Sequence, residues 1–112
     1  MYSDFCLNWL LLEIDDYDAS VLDDIWKQYP EHIPTLCCIL DAKVMNNEPE
    51  RKRIRDKYEF CLEQGLKNHK HKKSIQRVCI VGLCKRLKIK ISVEVKSSIL
   101  LLPDPFTEKV LQ

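Results

Sequence analysis

Cys61, His69, His71, Cys79 and Cys84 fall within 24 residues of one another, the densest concentration of cysteine and histidine in the chain. Zinc is held by such thiolates and imidazoles, commonly in closely spaced C-x-x-C pairs. No such pair occurs. Cys79 and Cys84 are five residues apart, which on a helix turns them about 140° from each other, so they cannot easily share an ion. The neighbours Cys37 and Cys38 also diverge. A cysteine nucleophile needs a base and a cationic or helix-N-terminal setting. Cys79 sits instead within an apolar run, and the phosphatase-like C-x5-R spacing puts Lys85 where arginine belongs. With Gly65 and Gly82 as its only glycines, the chain has no Gly-rich loop to cradle phosphate. Asp15-Asp16 and Asp23-Asp24 read as helix-start charges rather than a catalytic pair. The residues therefore point to a protein with no catalytic site, no metal and no cofactor.

Charge offers a second chemistry. Residues 1–50 carry 11 acidic and 2 basic side chains, residues 51–96 carry 15 basic and 4 acidic, and the tail adds −1, so the net +1 hides halves of −9 and +11. Two oppositely charged layers attracting each other within one fold is the plain reading. The sharper one is a basic half that meets an acidic partner. The runs RKRIR at 51–55 and KNHKHKK at 67–73, with Tyr58 and Phe60 between them, suit phosphate contacts. Nucleic-acid binding through residues 51–90 is thus the alternative function. Against it, Asp56, Glu59 and Glu63 interrupt the first run, and the acidic half would repel phosphate. His32, His69 and His71 are expected to be exposed and without a role.

A chain of 112 residues suits one domain, and 46% apolar with 31% charged residues is a globular balance. The start MYSDFCLNWLLLEIDD lacks the basic end and long apolar run of a signal peptide. No stretch approaches the ~20 apolar residues that span a bilayer. Reduced thiols inside the cell are therefore expected, in the cytoplasm or the nucleus.

The elements follow from apolar spacing. Phe5–Ile14 is a short apolar run, a candidate helix. Asp18 or Ser20 can cap a helix carrying Val21, Leu22, Ile25, Trp26 and Tyr29, which Pro30 stops. Pro34 starts a second, with Leu36, Cys37, Leu40 and Val44 on one stripe and Asn46-Asn47 at its end. A third runs from Pro49 to about Gly65, with Ile54, Tyr58, Cys61 and Leu62 on one face and Gly65 as its C-cap. Lys67–Lys73 is a polar connector and the best internal boundary. Ser74 then caps a helix from Ile75 to about Leu87. Ile89, Ile91, Val93 and Val95 alternate as a strand would, but nothing pairs with them, so an extended linker or short helix is expected. A last short helix follows Pro103 and Pro105. Four or five amphipathic helices and 2 glycines imply an all-α bundle, with Trp9 and Trp26 anchoring its core.

One helix is unusual. In SIQRVCIVGLCKRL, Ile75, Val78, Cys79, Gly82 and Leu83 fall in one arc and Ile80, Cys84 and Leu87 in a second. A helix apolar nearly all round must be covered on two sides. Gly82 lowers helix propensity by about 1 kcal/mol against alanine, which suggests close approach of another backbone. Downstream, Ile99–Leu102 and then Leu102-Pro103-Asp104-Pro105 form an apolar, proline-stiffened corner.

Ser74-Ile75-x-x-x-Cys79-x-x-x-Leu83 resembles the BC box, the elongin-binding helix of SOCS-box proteins. Leu102-Pro103-Asp104-Pro105 resembles the LPxP element of the cullin box that follows it in such modules. The likeness covers about residues 73–112. It departs from the pattern at Ile75, where leucine is usual, and at Asp104, where an aliphatic is usual. Lys88–Lys96 is a few residues long for the family, and the end is reduced to Val110-Leu111. Residues 1–70 are left as a helical region of unknown role within the small bundle, and the resemblance implies a three-helix SOCS-box-like module over 71–112. It implies an adaptor that brings a protein substrate to an elongin–cullin ubiquitin ligase. Ser74, Ile75, Val78, Cys79 and Leu83 would meet elongin C, which pairs with elongin B. Leu102, Pro103 and Pro105 would select the cullin scaffold.

Overall fold

In the computed structural model of the chain, residues 13–101 and 104–111 are described, the side chains of Asp15 and His71 excepted. Trp9 and residues 5–12 of the first apolar run, together with Leu102 and Pro103, lie outside the described residues. Six helices follow in order: α1 Ala19–Gln28, α2 Ile33–Val44, α3 Glu48–Lys67, α4 Ser74–Arg86, α5 Val93–Leu100 and α6 Pro105–Leu111. Short 3-10 turns lie at Ile14–Asp16, Pro30–His32 and His69–His71. The described residues contain no strand, and the fold is all-α.

Punctuation in the sequence sets the helix ends. Tyr29 precedes Pro30 and leaves helical geometry, with φ −135° and ψ 65°, so α1 stops there. Pro34 stands in the first turn of α2, where no intrahelical N–H is needed. Asn46 takes a φ of 55°, a left-handed conformation that asparagine tolerates. Asn47 caps α3, its Oδ1 accepting from the Glu50 backbone N–H at 3.2 Å. α4 closes with Lys88 at φ 60° and the Ile89 N–H donating to the Cys84 carbonyl at 2.9 Å. The alternating segment resolves into a link over 89–92 without regular secondary structure and then α5, which begins where Ser92 accepts from the Val95 N–H at 3.3 Å. Alternation there reflects Ile89 turned inward from an unpaired link, not a sheet.

Two expected caps belong elsewhere. Gly65 lies inside α3, two residues before its end, and a Cβ there would overlap the Trp26 ring. Its role is to let that ring lie against the helix. Ser74 is the first residue of α4, and its hydroxyl donates to Asp104 rather than capping its own helix.

One hydrophobic cluster runs from Ile14 to Leu111, so apolar packing is continuous across the connector at 67–73. α4 is its centre, packing most extensively on α2 and also on α3 and α6. Tyr58 is fully buried and its hydroxyl donates to the Ile14 carbonyl at 3.2 Å. The connector differs from expectation in one respect. His69 is 3% exposed, because the 3-10 turn folds its ring back so that Nδ1 meets the Leu66 carbonyl at 2.8 Å. The charged halves meet directly at Arg86–Asp41, whereas Lys27–Asp23 at 2.9 Å and Arg53–Glu50 at 2.7 Å stay within single helices.

Candidate docking site on the central helix

Burial divides α4 by angle. Stepping 100° per residue from Ile75, the buried positions Gln76, Ile80, Val81, Leu83 and Cys84 occupy the inner side. The opposite arc, about 120° wide, carries Lys85, Val78, Gly82, Ile75, Arg86 and Cys79. Of these, Lys85 and Arg86 are exposed, Val78, Gly82 and Cys79 are half-buried, and Ile75 is 59% exposed. The arc is thus an apolar strip with its cations confined to one end.

The candidate set named from sequence is split by this geometry. Ile75, Val78 and Cys79 share the open arc. Leu83 is 2% exposed and packs within the chain's own core. It supports the arc from beneath, because it sits about 80° round from Ile75 and falls on the side covered by neighbouring helices. Gly82 meets nothing within 4 Å of a built Cβ, so among the described residues no backbone makes the close approach its presence suggested. A groove of about 210 Å³ borders the strip between α2 and α4, with Cys37 and Cys38 on one wall and Cys79 and Gly82 on the other.

The strip is fixed to the tail by a buried carboxylate. Asp104, 7% exposed, accepts from Ser74 Oγ at 2.7 Å, from Arg77 Nε at 3.2 Å and from its terminal nitrogen at 2.8 Å. It also caps α6, accepting from the Thr107 backbone N–H at 3.3 Å and from the Thr107 hydroxyl. Desolvation pushes this carboxyl upward, but the hydrogen bonds from Thr107, Ser74 and Arg77 outweigh it and hold the group well below the usual carboxylate range. Arg77 donates onward to the His69 carbonyl at 3.3 Å and to that of Lys72. One guanidinium therefore ties the turn before α4 to the start of α6. At the far end, Lys85 Nζ donates to the Val110 carbonyl at 2.8 Å.

Asp104, a departure from the LPxP pattern, is thus the bolt between α4 and α6. Its sequence signal was a short acidic residue one before a helix-starting proline, which is where an N-cap stands. The bolt sets Pro105, which is exposed, and Phe106, 69% exposed, close to the Ile75 end of the strip.

Other chemistries find less support in the geometry. Among the described residues, no group of three or more histidine, cysteine or acidic side chains could hold a metal ion. Burial pushes the thiols of Cys37, Cys61, Cys79 and Cys84 upward, that of Cys84 to about 12, the reverse of what activates a nucleophile. Arg51 pairs with Glu48, Arg53 with Glu50, and Arg55 lies 3.8 Å from Asp56, so the RKRIR run already faces carboxylates. No helix among the described residues is long and apolar enough to cross a membrane. Comparison of the chain with family models, with curated proteins and with solved structures finds no match.

Proposed function

We propose that the chain is a substrate-recognition adaptor of an elongin–cullin ubiquitin ligase and docks on elongin C through the open strip of α4. The observation that carries this reading is the exposure of Ile75 at the head of an apolar arc on a helix whose opposite side is buried in the core. Full burial of such a side chain contributes ~1.5–3 kcal/mol. With 59% of Ile75 still open, a partner's pocket gains about 1–2 kcal/mol from this residue alone. Val78 and Cys79 flank it, and Gly82 leaves room for a partner's backbone. Pro105, bolted beside the strip, would contribute to the cullin contact with Leu102 and Pro103. The chain itself does no chemistry in this scheme; it raises the effective concentration of a substrate near a charged ubiquitin carrier. The paired arginines of 51–55 make phosphate recognition the weaker reading.

The test is co-purification with elongin B and elongin C. Wild type is expected to capture both, and Ile75→Asp to lose them with its circular dichroism nearly unchanged, since the side chain faces water. Failure of the wild-type chain to capture either elongin refutes the adaptor reading.

A further inference from the structure

Four of the five described cysteines gather at the contact of α2 with α4, and each is a free thiol. Cys37 and Cys38 from α2 and Cys79 from α4 stand on opposite walls of the groove of about 210 Å³, which Asp41 and Arg86 also line. The Cys37 thiol, pushed well up by burial first, is pushed further by Cys79, Cys84 and Cys38. The Cys79 thiol is raised by burial and then by Cys38. The groove therefore holds thiols near enough to act on one another.

Exposure and direction single out one pair. Cys37 and Cys84 are buried in the core, so neither meets a dissolved reagent first. Cys38 stands exposed at the lip, and Cys79 is half-buried on the facing wall. The helix that carries Cys37 and Cys38 turns them about 100° apart, so they cannot bond each other there. A disulfide spans Cα atoms about 4.4–6.8 Å apart. Helices packed with axes about 8–10 Å apart bring facing Cα atoms into that range. α2 and α4 make the most extensive helix contact among the described residues, and Arg86–Asp41 ties them beside the same groove.

Gly82 keeps the space beside the two thiols open. It costs α4 helix propensity. Yet a Cβ built on it meets nothing within 4 Å, so no packing among the described residues requires glycine there. A cysteine side chain has one torsion with three staggered wells. With the groove unfilled, Cys79 has room to swing toward α2. It stands about 40° round α4 from Ile75, between the open strip and the buried Leu83, so that swing takes it off the strip.

We propose that Cys38 and Cys79 are a dithiol that hydroperoxides convert into a disulfide across this groove, and that the bond withdraws Cys79 from the docking strip. The Cys38 thiolate attacks the outer oxygen of the peroxide. An S–O bond forms, the O–O bond breaks, and an alcohol leaves, or water where the oxidant is hydrogen peroxide. The Cys79 thiolate then attacks the sulfenic sulfur, the S–S bond forms, and the hydroxyl leaves with a proton as water. The two thiols give up the two electrons that the peroxide gains, and a dithiol reductant reverses the bond by exchange. The control of docking rests on the adaptor reading: the strip loses a contact beside Ile75, so oxidation weakens elongin capture. The disulfide itself does not rest on it.

The test uses the full chain, reduced, freed of reductant, treated with hydrogen peroxide and blocked with N-ethylmaleimide. Non-reducing peptide mapping by tandem mass spectrometry is expected to find a Cys38–Cys79 crosslink within one chain, reversed by dithiothreitol. Cys38→Ser, at an exposed site, should abolish it with circular dichroism unchanged. Absence of the crosslink, bonding of Cys38 only between two chains, or a Cys79 crosslink that persists in Cys38→Ser overturns the pair. In a second arm, catalase removes the peroxide before elongin B and elongin C are added. The reduced chain is expected to capture them about tenfold or more better than the crosslinked chain. Cys38→Ser should capture them equally before and after peroxide. Equal capture by crosslinked and reduced wild type overturns the control of docking. A crosslink in a chain whose reduced form captures no elongin refutes the adaptor and leaves the dithiol standing.

Discussion

Replacing Asp104 with alanine removes five hydrogen bonds at once: one from Ser74, two from Arg77 and two from Thr107. It also strands a guanidinium whose side chain is 12% exposed. Breaking a buried pair by deleting one partner costs ~3–5 kcal/mol. Arg77 keeps its bonds to the His69 and Lys72 carbonyls, which sets the expected loss near the lower end, about 3 kcal/mol. For 112 residues the unfolding entropy is about 0.24 kcal/mol/K, so Tm should fall by roughly 13 °C. The folded carboxyl titrates below its unfolded value near ~3.9. Its contribution is therefore complete above that value and lost as the pH falls through the folded one. The gap between wild type and variant should be flat from about pH 5 upward and narrow below about pH 4. The assay is urea unfolding at several pH values, for Asp104→Ala, Arg77→Ala and the double variant. A loss under about 1 kcal/mol, or no coupling between the two substitutions, would show that the bolt does not hold α6 to α4.

The two glycines should respond oppositely to alanine. Gly82→Ala enters open space and gains helix propensity, so thermal unfolding should show about 1 kcal/mol of added stability while elongin capture weakens. Gly65→Ala drives a methyl into the Trp26 ring, and overpacking of about 1–3 kcal/mol should leave a net loss and a changed tryptophan emission. Among the described cysteines, alkylation at pH 8 followed by peptide mass mapping should find the exposed Cys38 first and the half-buried Cys79 later. Cys84, fully buried and pushed up to about 12, should react only through unfolding; labelling of Cys84 as fast as Cys38 would contradict its burial.

Helix positions were legible because they rest on local chemistry. Pro30, Pro34, Asn47 and Pro49 mark ends that depend only on backbone geometry, and the structure places helix boundaries beside each. The apolar periods of α2 and α3 needed only a face to bury. What could not be read required knowledge of the neighbour. Gly65 looks like a C-cap until Trp26 is brought against it. His69 looks like a surface histidine until a one-turn helix folds it inward. Leu83 shares an arc with Ile75 on a helical wheel, yet burial on one edge of α4 takes it from the candidate strip. Asp104 reads as a defect in a motif, because its donors Arg77 and Ser74 lie 27 and 30 residues earlier in the chain and only Thr107 is local. Alternation at 89–95 is cut at Ser92, where a helix begins that the period of two did not announce.

The central position of α4 bears on how portable the C-terminal segment is. Here the helix carrying the strip makes its largest contact with α2, on the other side of the 67–73 connector, and shares Arg86–Asp41 with it. Residues 71–112 grafted behind a foreign domain would present Leu83 and its neighbours to water along with Ile75. The graft would either collapse around its own apolar surface or bind without discrimination. Within the adaptor reading, docking would then belong to the whole bundle, and α2 positions that never touch a partner would still shape the strip.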